Sequence, residues 1–149
     1  MIYLPDTNAF SAYLAGRSPP LTQRMLAAFK AGELRLSVMV FSELAFGAEK
    51  VRAKLGDTKF ARRVDLLRKQ IDLEPLGKDF PDHYAKVRTH LESTGWKIGD
   101  RDTIIAAHAL ALGAVMVTRN VHEFSRVPGL VVENWEQGFS AHKPSLTGG

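Results

Sequence analysis

The feature of this sequence that most constrains its fold is the alternation of short, continuous apolar runs with longer segments of helical periodicity. Runs of strand length lie at residues 1–4 and 114–117, a further strand is expected at 130–133, and between them apolar residues recur every three or four positions. Uninterrupted apolar runs are typical of parallel strands that are buried on both faces. The alternation therefore predicts an α/β fold, a three-layer sandwich with a mostly parallel central sheet flanked by helices.

Weaker signals complete the elements and set the domain limits. A further strand is expected at 34–37, and residues 73–76 are expected to form either a short strand or an extended connection. Apolar residues at helical spacing, often followed by a glycine, predict helices at residues 8–14, 21–31, 38–54, 59–72, 80–93 and 104–112. We expect one domain over 1–137, because a chain of this length supports one core, and a flexible tail over 138–149.

The composition narrows the setting in which the protein works. Cysteine is absent from the 149 residues, which excludes a disulfide framework and thiolate chemistry and suits a reducing compartment. The longest mainly apolar run, 104–117, is too short to span a bilayer, and no signal-like segment starts the chain. The sequence therefore predicts a soluble, cytoplasmic protein.

Positive charge is concentrated in one segment. Residues 49–69 contain eight lysines and arginines against three acids, whereas the whole chain has a formal net charge of +4. Such a segment favours a polyanionic partner such as RNA or DNA. The alternative is a solvated helix face, because Phe60, Val64, Leu67 and Ile71 recur at helical spacing and leave the basic residues outside.

Several polar residues follow the predicted strands or precede a predicted helix. Asp6 comes directly after the first apolar run, Asp100 and Asp102 precede the alanine-rich helix, and Thr118 and Asn120 follow the next strand. Ligands of open parallel sheets collect at the carboxyl ends of the strands, where the strand order reverses. We therefore expect these residues at one edge of the sheet.

Glu43 is an acid of a different kind, because it lies within the largely apolar run VMVFSELAF. A carboxylate in such surroundings must be paired, hydrogen-bonded or metal-bound. Several acids that converge without cations repel one another, and a hard divalent cation removes that conflict. Carboxylate sites of this sort suit Mg²⁺ or Mn²⁺, which activate water and polarise phosphodiesters. The residues thus predict phosphodiester hydrolysis.

Each candidate also has a purely structural interpretation. Asp6 could cap the following helix, Asp100 could cap the alanine-rich helix, and Asp102 could be an ordinary acid of a first helical turn. Glu43 could be a partly exposed helix residue. His108 lies six residues after Asp102 on another side of the helix, so it is interpreted as a packing histidine and not as a general base.

Three stretches together resemble the PIN-domain nucleases, and specifically the VapC-type toxins of bacterial toxin–antitoxin pairs. They are YLPDTNAF, LRLSVMVFSELAFGAEK and IGDRDTIIAAHALALGAVMVTRNVHEFSRVPGLVVENW, and they follow the family's order over most of the chain. The resemblance implies that Asp6, Glu43 and Asp102 are the acidic metal-binding positions. Asn120 lies where many members have a further aspartate, and Asp100 is placed to join the site or to hold a water.

The resemblance also implies an activity and partners. It implies a Mg²⁺-dependent endoribonuclease, with Mn²⁺ as a possible substitute, that cuts selected RNA, a cognate VapB-like antitoxin that blocks the site, and a homodimer. Partner contacts are expected on the first two helices, at Phe10, Tyr13, Leu14, Met25 and Phe29. RNA phosphates are expected at Lys50, Arg52, Lys54, Arg62 and Arg63.

Other functions are weighed against this one. Phosphatases of the haloacid dehalogenase type need a second aspartate two residues after the first, where this chain has Asn8. Receiver domains need paired acids after the first strand and fail in the same way. A catalytically weak or inactive PIN-fold module that binds RNA or protein stays open as the alternative, although Asp6, Glu43 and Asp102 are all present.

Overall fold

A computed structural model describes residues 1–137, so the tail expected at 138–149 lies outside the described residues. Helices and short strands alternate along the chain as the sequence predicts. In order they are β1 (Tyr3–Pro5), α1 (Thr7–Ala15), α2 (Pro19–Lys30), β2 (Leu36–Ser37), α3 (Val38–Leu55), α4 (Lys59–Gln70), β3 (Leu73–Glu74), α5 (Phe80–Thr94), α6 (Asp100–Leu112), β4 (Val115–Val117), α7 (Val121–Phe124) and β5 (Val132–Glu133).

The strands are parallel and their order reverses at β1. One sheet has the order β1-β4-β5, and β2 pairs with β3 in a second. An isolated parallel bridge between Tyr3 and Leu34 joins β1 to the segment leading into β2. Strands β2 and β3 therefore lie on one side of β1, and β4 and β5 lie on the other. This reversal leaves a crevice at the carboxyl ends of β1 and β4. The predicted α/β sandwich with a parallel central sheet is confirmed.

Local sequence explains where the principal helices begin. Ser18 accepts a hydrogen bond from the backbone N–H of Leu21, and Pro19 follows at the first helical position of α2. Ser37 caps α3 through a 3.2 Å bond from the N–H of Met39. Gly113, with φ of 64°, ends α6 in a left-handed conformation that turns the chain directly into β4.

The core is formed by the sheet and by the inward faces of the helices. Leu4, Leu36, Ile105 and Met116 are all fully buried. In α6, small side chains let the helix lie against the sheet at short range, and Ala106, Ala107 and Ala109 have no exposed surface. The predicted alanine-rich packing helix is thus present.

Two of the expected partner contacts are wrong. Phe10 is fully buried and Met25 is 1% exposed, so both belong to the core and cannot meet another chain. The amphipathic faces of α1 and α2 pack inward onto the domain itself, which explains the error. Tyr13 and Leu14 pack against the core and are partly buried, whereas Phe29 is 44% exposed.

Two helices differ from the prediction, whereas β1 ends at Pro5, which pairs in register with Val117. The helix α6 begins at Asp100 and not at residue 104, and α7 was not predicted. No helix in the described part of the chain combines the length and apolar character needed to cross a membrane.

Candidate functional site

Asp6 is held at the carboxyl end of β1 by two neighbouring elements. It is the N-cap of α1, where its Oδ1 accepts a 2.8 Å hydrogen bond from the N–H of Ala9. Its Oδ2 accepts a 2.6 Å bond from the hydroxyl of Thr118, the residue that follows β4. The side chain is only 3% exposed, and burial raises its pKa, although these two bonds and the charge of Arg119 act in the opposite direction. The capping interpretation is correct, but it leaves lone pairs on both oxygens free for other ligands.

Glu43 reaches the same edge of the sheet from α3. Its Oε2 accepts a 2.5 Å hydrogen bond from the hydroxyl of Thr7, the residue next to Asp6. Its Oε1 lies 3.8 Å from Nε of Arg101, and its side chain is 17% exposed. The partners of this carboxylate, Thr7 and Arg101, come from distant parts of the chain. The sequence around Glu43 therefore did not reveal them.

Asp102 lies in the first turn of α6, half-buried. Burial is the largest of the causes that raise the pKa of its carboxyl to about 6, and the negative charges of Glu123, Asp6 and Glu43 raise it further. Arg101 opposes them. Three acids, from the end of β1, from α3 and from α7, thus place negative charge on the carboxyl of Asp102. A divalent cation bound beside Asp102 would relieve this repulsion.

The other two predicted residues are placed less centrally. Asp100 is exposed at the first position of α6, and the N-cap is Gly99, so the capping role suggested for Asp100 is wrong. Asn120 precedes α7, and its backbone N–H donates to Oγ1 of Thr118 at 3.0 Å. Thr118 therefore connects Asn120 to Asp6.

Sequence reasoning missed three contributors to this site. Glu123 acts on Asp102 from α7, a helix of 4 residues that is too short for a periodic pattern to reveal. Thr7 was visible in the DTN triplet, but nothing in the triplet indicates its bond to Glu43. Arg101 was visible between the two aspartates, although only the fold brings it to Glu43.

His108 is not part of this chemistry. It is fully buried, with Nδ1 at 2.9 Å from the hydroxyl of Ser37 and Nε2 at 2.9 Å from the carbonyl of Pro75. The carbonyl can only accept, so Nε2 donates and Nδ1 accepts from Ser37. Burial lowers the pKa of the imidazole, which keeps it neutral. The interpretation as a packing histidine is correct.

The chemistry of the donors decides whether they suit a metal ion. Among residues 1–137, no three His, Asp or Glu side chains are close enough, in the positions they adopt, to ligate one ion together. Asp6 is turned towards Thr118 and Ala9, and Glu43 is turned towards Thr7. Mg²⁺ needs only one or two protein carboxylates and keeps several waters. The acids around Asp102, all oxygen donors of like charge, fit a hard divalent cation.

Comparison with known proteins shows which family this chain resembles. Residues 3–130 match the family model described as PIN domain. The chain is 32% identical over 138 residues to Ribonuclease VapC2 of Rickettsia felis, covering 92% of this chain and 100% of the relative. It is 30% identical over 138 residues to Ribonuclease VapC1 of Haemophilus influenzae, covering 91% of this chain and 98% of the relative.

A solved structure is similar over nearly the same length. It is the crystal structure of VapBC2 from Rickettsia felis bound to a DNA fragment from their promoter. A chain of that structure superposes with a TM-score of 0.82 at 29% identity, covering 91% of this chain and 99% of the other.

Proposed function

Because this chain belongs to the PIN-domain family, we propose that it is a metal-dependent endoribonuclease that acts in the cytoplasm as the toxin of a toxin–antitoxin pair. The resemblance seen in the sequence is confirmed at the level of the family, and the relatives named above are ribonucleases. The observation that carries the proposal is the half-buried carboxyl of Asp102 at the carboxyl edge of the sheet, on which the negative charges of Glu123, Asp6 and Glu43 all act.

In this proposal Asp6, Glu43 and Asp102 hold Mg²⁺, for which Mn²⁺ can substitute, and Glu123 contributes the fourth acid. The ion, when bound, polarises a phosphodiester and lowers the pKa of a water. Thr118 and the N–H of Ala9 fix the orientation of Asp6, and Thr7 does the same for Glu43. Such supporting hydrogen bonds set the geometry and basicity of metal ligands.

Asn120 and Asp100 have accessory roles. Asn120 is neutral where many relatives of this type carry an acid, and Glu123 follows it by one helical turn, so the negative charge at this corner comes from Glu123. Asp100, exposed beside Asp102, is placed to hold a water at the rim of the site.

We propose that part of the basic segment binds RNA phosphates. Lys50 and Lys54 follow Glu43 in α3 by seven and eleven residues, which puts them within about 20° of its direction around the helix axis. Arg52 points to the other side and pairs with Glu49, and Arg63 donates to the carbonyl of Leu14 at 3.2 Å. We therefore assign phosphate binding to Lys50 and Lys54 in preference to Arg52 and Arg63.

A second route for the substrate lies on the Asp6 side. An open cleft there is lined by Arg17, Arg119 and Glu136, together with residues 18–20. The charge of Arg119 reaches the carboxyl of Asp6. Cations on both sides of the acids would offset the repulsion between those acids and an incoming polyanion.

The partners follow the same reasoning. The similar R. felis structure contains VapBC2, and we propose a VapB-like antitoxin for this chain, together with a homodimer. Leu26 and Phe29, 40% and 44% exposed on α2, are the apolar residues we propose for partner contacts. Exposed apolar side chains that recur on one helix face are typical of such surfaces.

The second candidate function is an inactive PIN-fold module that binds RNA or protein. The neutral Asn120 favours it, as does the finding that no three His, Asp or Glu side chains of residues 1–137 lie close enough to share an ion. It predicts RNA binding without any cleavage.

One experiment separates the two. Purified protein is incubated with total cellular RNA and Mg²⁺ or Mn²⁺, beside Asp102→Asn, Glu123→Gln, a chelator control and Asp65→Asn. Asp65 lies exposed on α4 and matches the charge change of Asp102→Asn away from the site. We expect cutting by the wild type and Asp65→Asn alone. Equal cleavage in every tube means contamination, and cleavage in none leaves the inactive module.

A further inference from the structure

An exposed tryptophan lies on the chain segment that leads into the acidic site. Trp96 is 59% exposed in the connection between α5 and α6. Gly99 and Asp102 follow it, and a Cβ placed on Gly99 would be 3.6 Å from Oδ2 of Asp102. Three extended residues span at most about 11 Å, so the indole belongs to the same region of the surface as Asp102.

The indole of Trp96 is in contact with an arginine from the segment that follows α7. The guanidinium of Arg126 lies over the Trp96 ring, 5.0 Å from its centroid. Its Nη1 also donates to the carbonyl of Lys97 at 3.4 Å. Arg126 is tied to α7 by a backbone bond to the carbonyl of Glu123, whose charge raises the pKa of Asp102. The Trp96–Arg126 pair therefore bridges the two segments that supply Asp102 and Glu123.

We propose that the Trp96–Arg126 pair is a stacking platform for an unpaired base of the RNA next to the cleavage site. This inference rests on the proposed ribonuclease function and assigns it a determinant of substrate position. One face of the indole carries the guanidinium, and the exposed remainder offers a π surface to a base. Aromatic rings beside cations are the usual means of binding single-stranded nucleic acid without base-specific hydrogen bonds.

The surroundings favour RNA over a protein partner. The residues from Glu92 to Lys97 other than Trp96 are polar or glycine, and all are exposed. A protein interface of useful size needs a contiguous apolar patch, whereas a stacked base needs one ring and a nearby positive charge. Lys97 and Arg126 provide that charge.

The two tryptophans of the chain make the proposal measurable. Trp135 is 2% exposed, and its Nε1 donates to Glu133, so added RNA cannot stack on it. Trp96 is then the fluorophore that responds to a stacking base, and Trp96→Phe reports the constant signal of Trp135. The substitutions are made on Asp102→Asn, so that bound RNA is not cut.

The experiment combines two titrations. Unlabelled single-stranded RNA of random sequence is added while tryptophan emission is recorded, and a fluorescein-labelled copy gives the affinity by anisotropy. We expect quenching that is lost in Trp96→Phe, absent with the duplex form of the same RNA, and an affinity about tenfold weaker in Trp96→Ala. Arg126→Ala should weaken binding in the same direction. In the background with Asp102 intact, Trp96→Ala should raise KM, leave kcat nearly unchanged and shift the cut positions.

Three results would overturn the platform. The first is RNA that binds without quenching Trp96, or does not bind at all. The second is an unchanged affinity and cut pattern in Trp96→Ala, and the third is a Trp96→Ala variant that changes only self-association, which would assign the indole to a protein contact. Failure of the ribonuclease function itself looks different, because then the wild type cuts nothing while quenching by RNA persists.

Discussion

Thr118 donates a 2.6 Å hydrogen bond to Oδ2 of Asp6 across 112 residues of sequence. The bond joins the residues that follow two adjacent parallel strands, and it leaves a buried carboxylate in a fixed orientation at the point where the strand order reverses. Since the N–H of Asn120 also donates to Thr118, one hydroxyl organises the corner where three parts of the proposed site meet.

We predict that Thr118→Val lowers the free energy of unfolding by about 1–3 kcal/mol, because the buried carboxylate loses a donor. It should also reduce RNA cleavage, since Asp6 loses its orientation. Chemical denaturation and a cleavage assay measure the two effects. Thr118→Ser keeps the hydroxyl and should recover both, so a serine variant as impaired as valine would show that the methyl group and not the hydrogen bond matters.

We predict that Asp102→Asn stabilises the ion-free protein at neutral pH. The carboxylate is half-buried among Glu123, Asp6 and Glu43, and a neutral amide removes that repulsion. Thermal unfolding in a chelator should show a higher Tm for the variant, and Mg²⁺ or Mn²⁺ should then raise only the wild-type Tm. Asp65→Asn serves as the control and should match the wild type in both comparisons, including the rise in Tm with Mg²⁺ or Mn²⁺. A destabilised variant in the chelator would contradict the electrostatic account.

The pH dependence of the same residue has a defined sign. The carboxyl of Asp102 has a pKa of about 6 in the folded protein against an ordinary value of 3.8, so the folded state binds more protons between these values. The contribution of Asp102 to stability is therefore full below pH 3.8 and is lost as the pH rises through 6. The Tm advantage of Asp102→Asn in a chelator should grow across that interval and then level off. An advantage independent of pH would contradict the raised pKa.

The contribution of His108 to stability is predicted to have the opposite pH dependence. Burial lowers its pKa from the ordinary 6.5, so below that pH the unfolded chain takes up a proton that the folded protein resists. Its contribution to stability is present above pH 6.5 and declines as the pH falls towards the folded value. The difference in the free energy of unfolding between wild type and His108→Leu, measured against pH, separates the pH dependence due to His108 from that due to Asp102.

The same substitution tests the structural role of the imidazole. His108→Leu leaves the hydroxyl of Ser37 and the carbonyl of Pro75 without their buried partner, and it should cost about 2–4 kcal/mol in the free energy of unfolding. Ion binding by the remaining folded protein, followed as a Tm shift with Mn²⁺, should be unchanged. A loss of ion binding at full stability would instead make His108 part of the site.

Much of this fold was accessible from the sequence because its strands are short, apolar and parallel, and because DTN directly follows the first of them. The placement of Asp6 needed only that pattern. Glu123 could not be predicted, since α7 is too short to be periodic, and the Arg101–Glu43 pair depends on packing between α3 and α6. Phe10 and Met25 were misassigned because an amphipathic face looks the same whether it packs on its own core or on a partner.

The central claim is that Asp6, Glu43 and Asp102 close on one divalent cation, and crystals soaked in Mn²⁺ test it most directly. The anomalous difference map should show a peak within coordination distance of at least two of these carboxylates, with Thr118 and Thr7 still hydrogen-bonded to Asp6 and Glu43. No peak there in crystals of the wild type would contradict the proposed site and the cleavage chemistry derived from it.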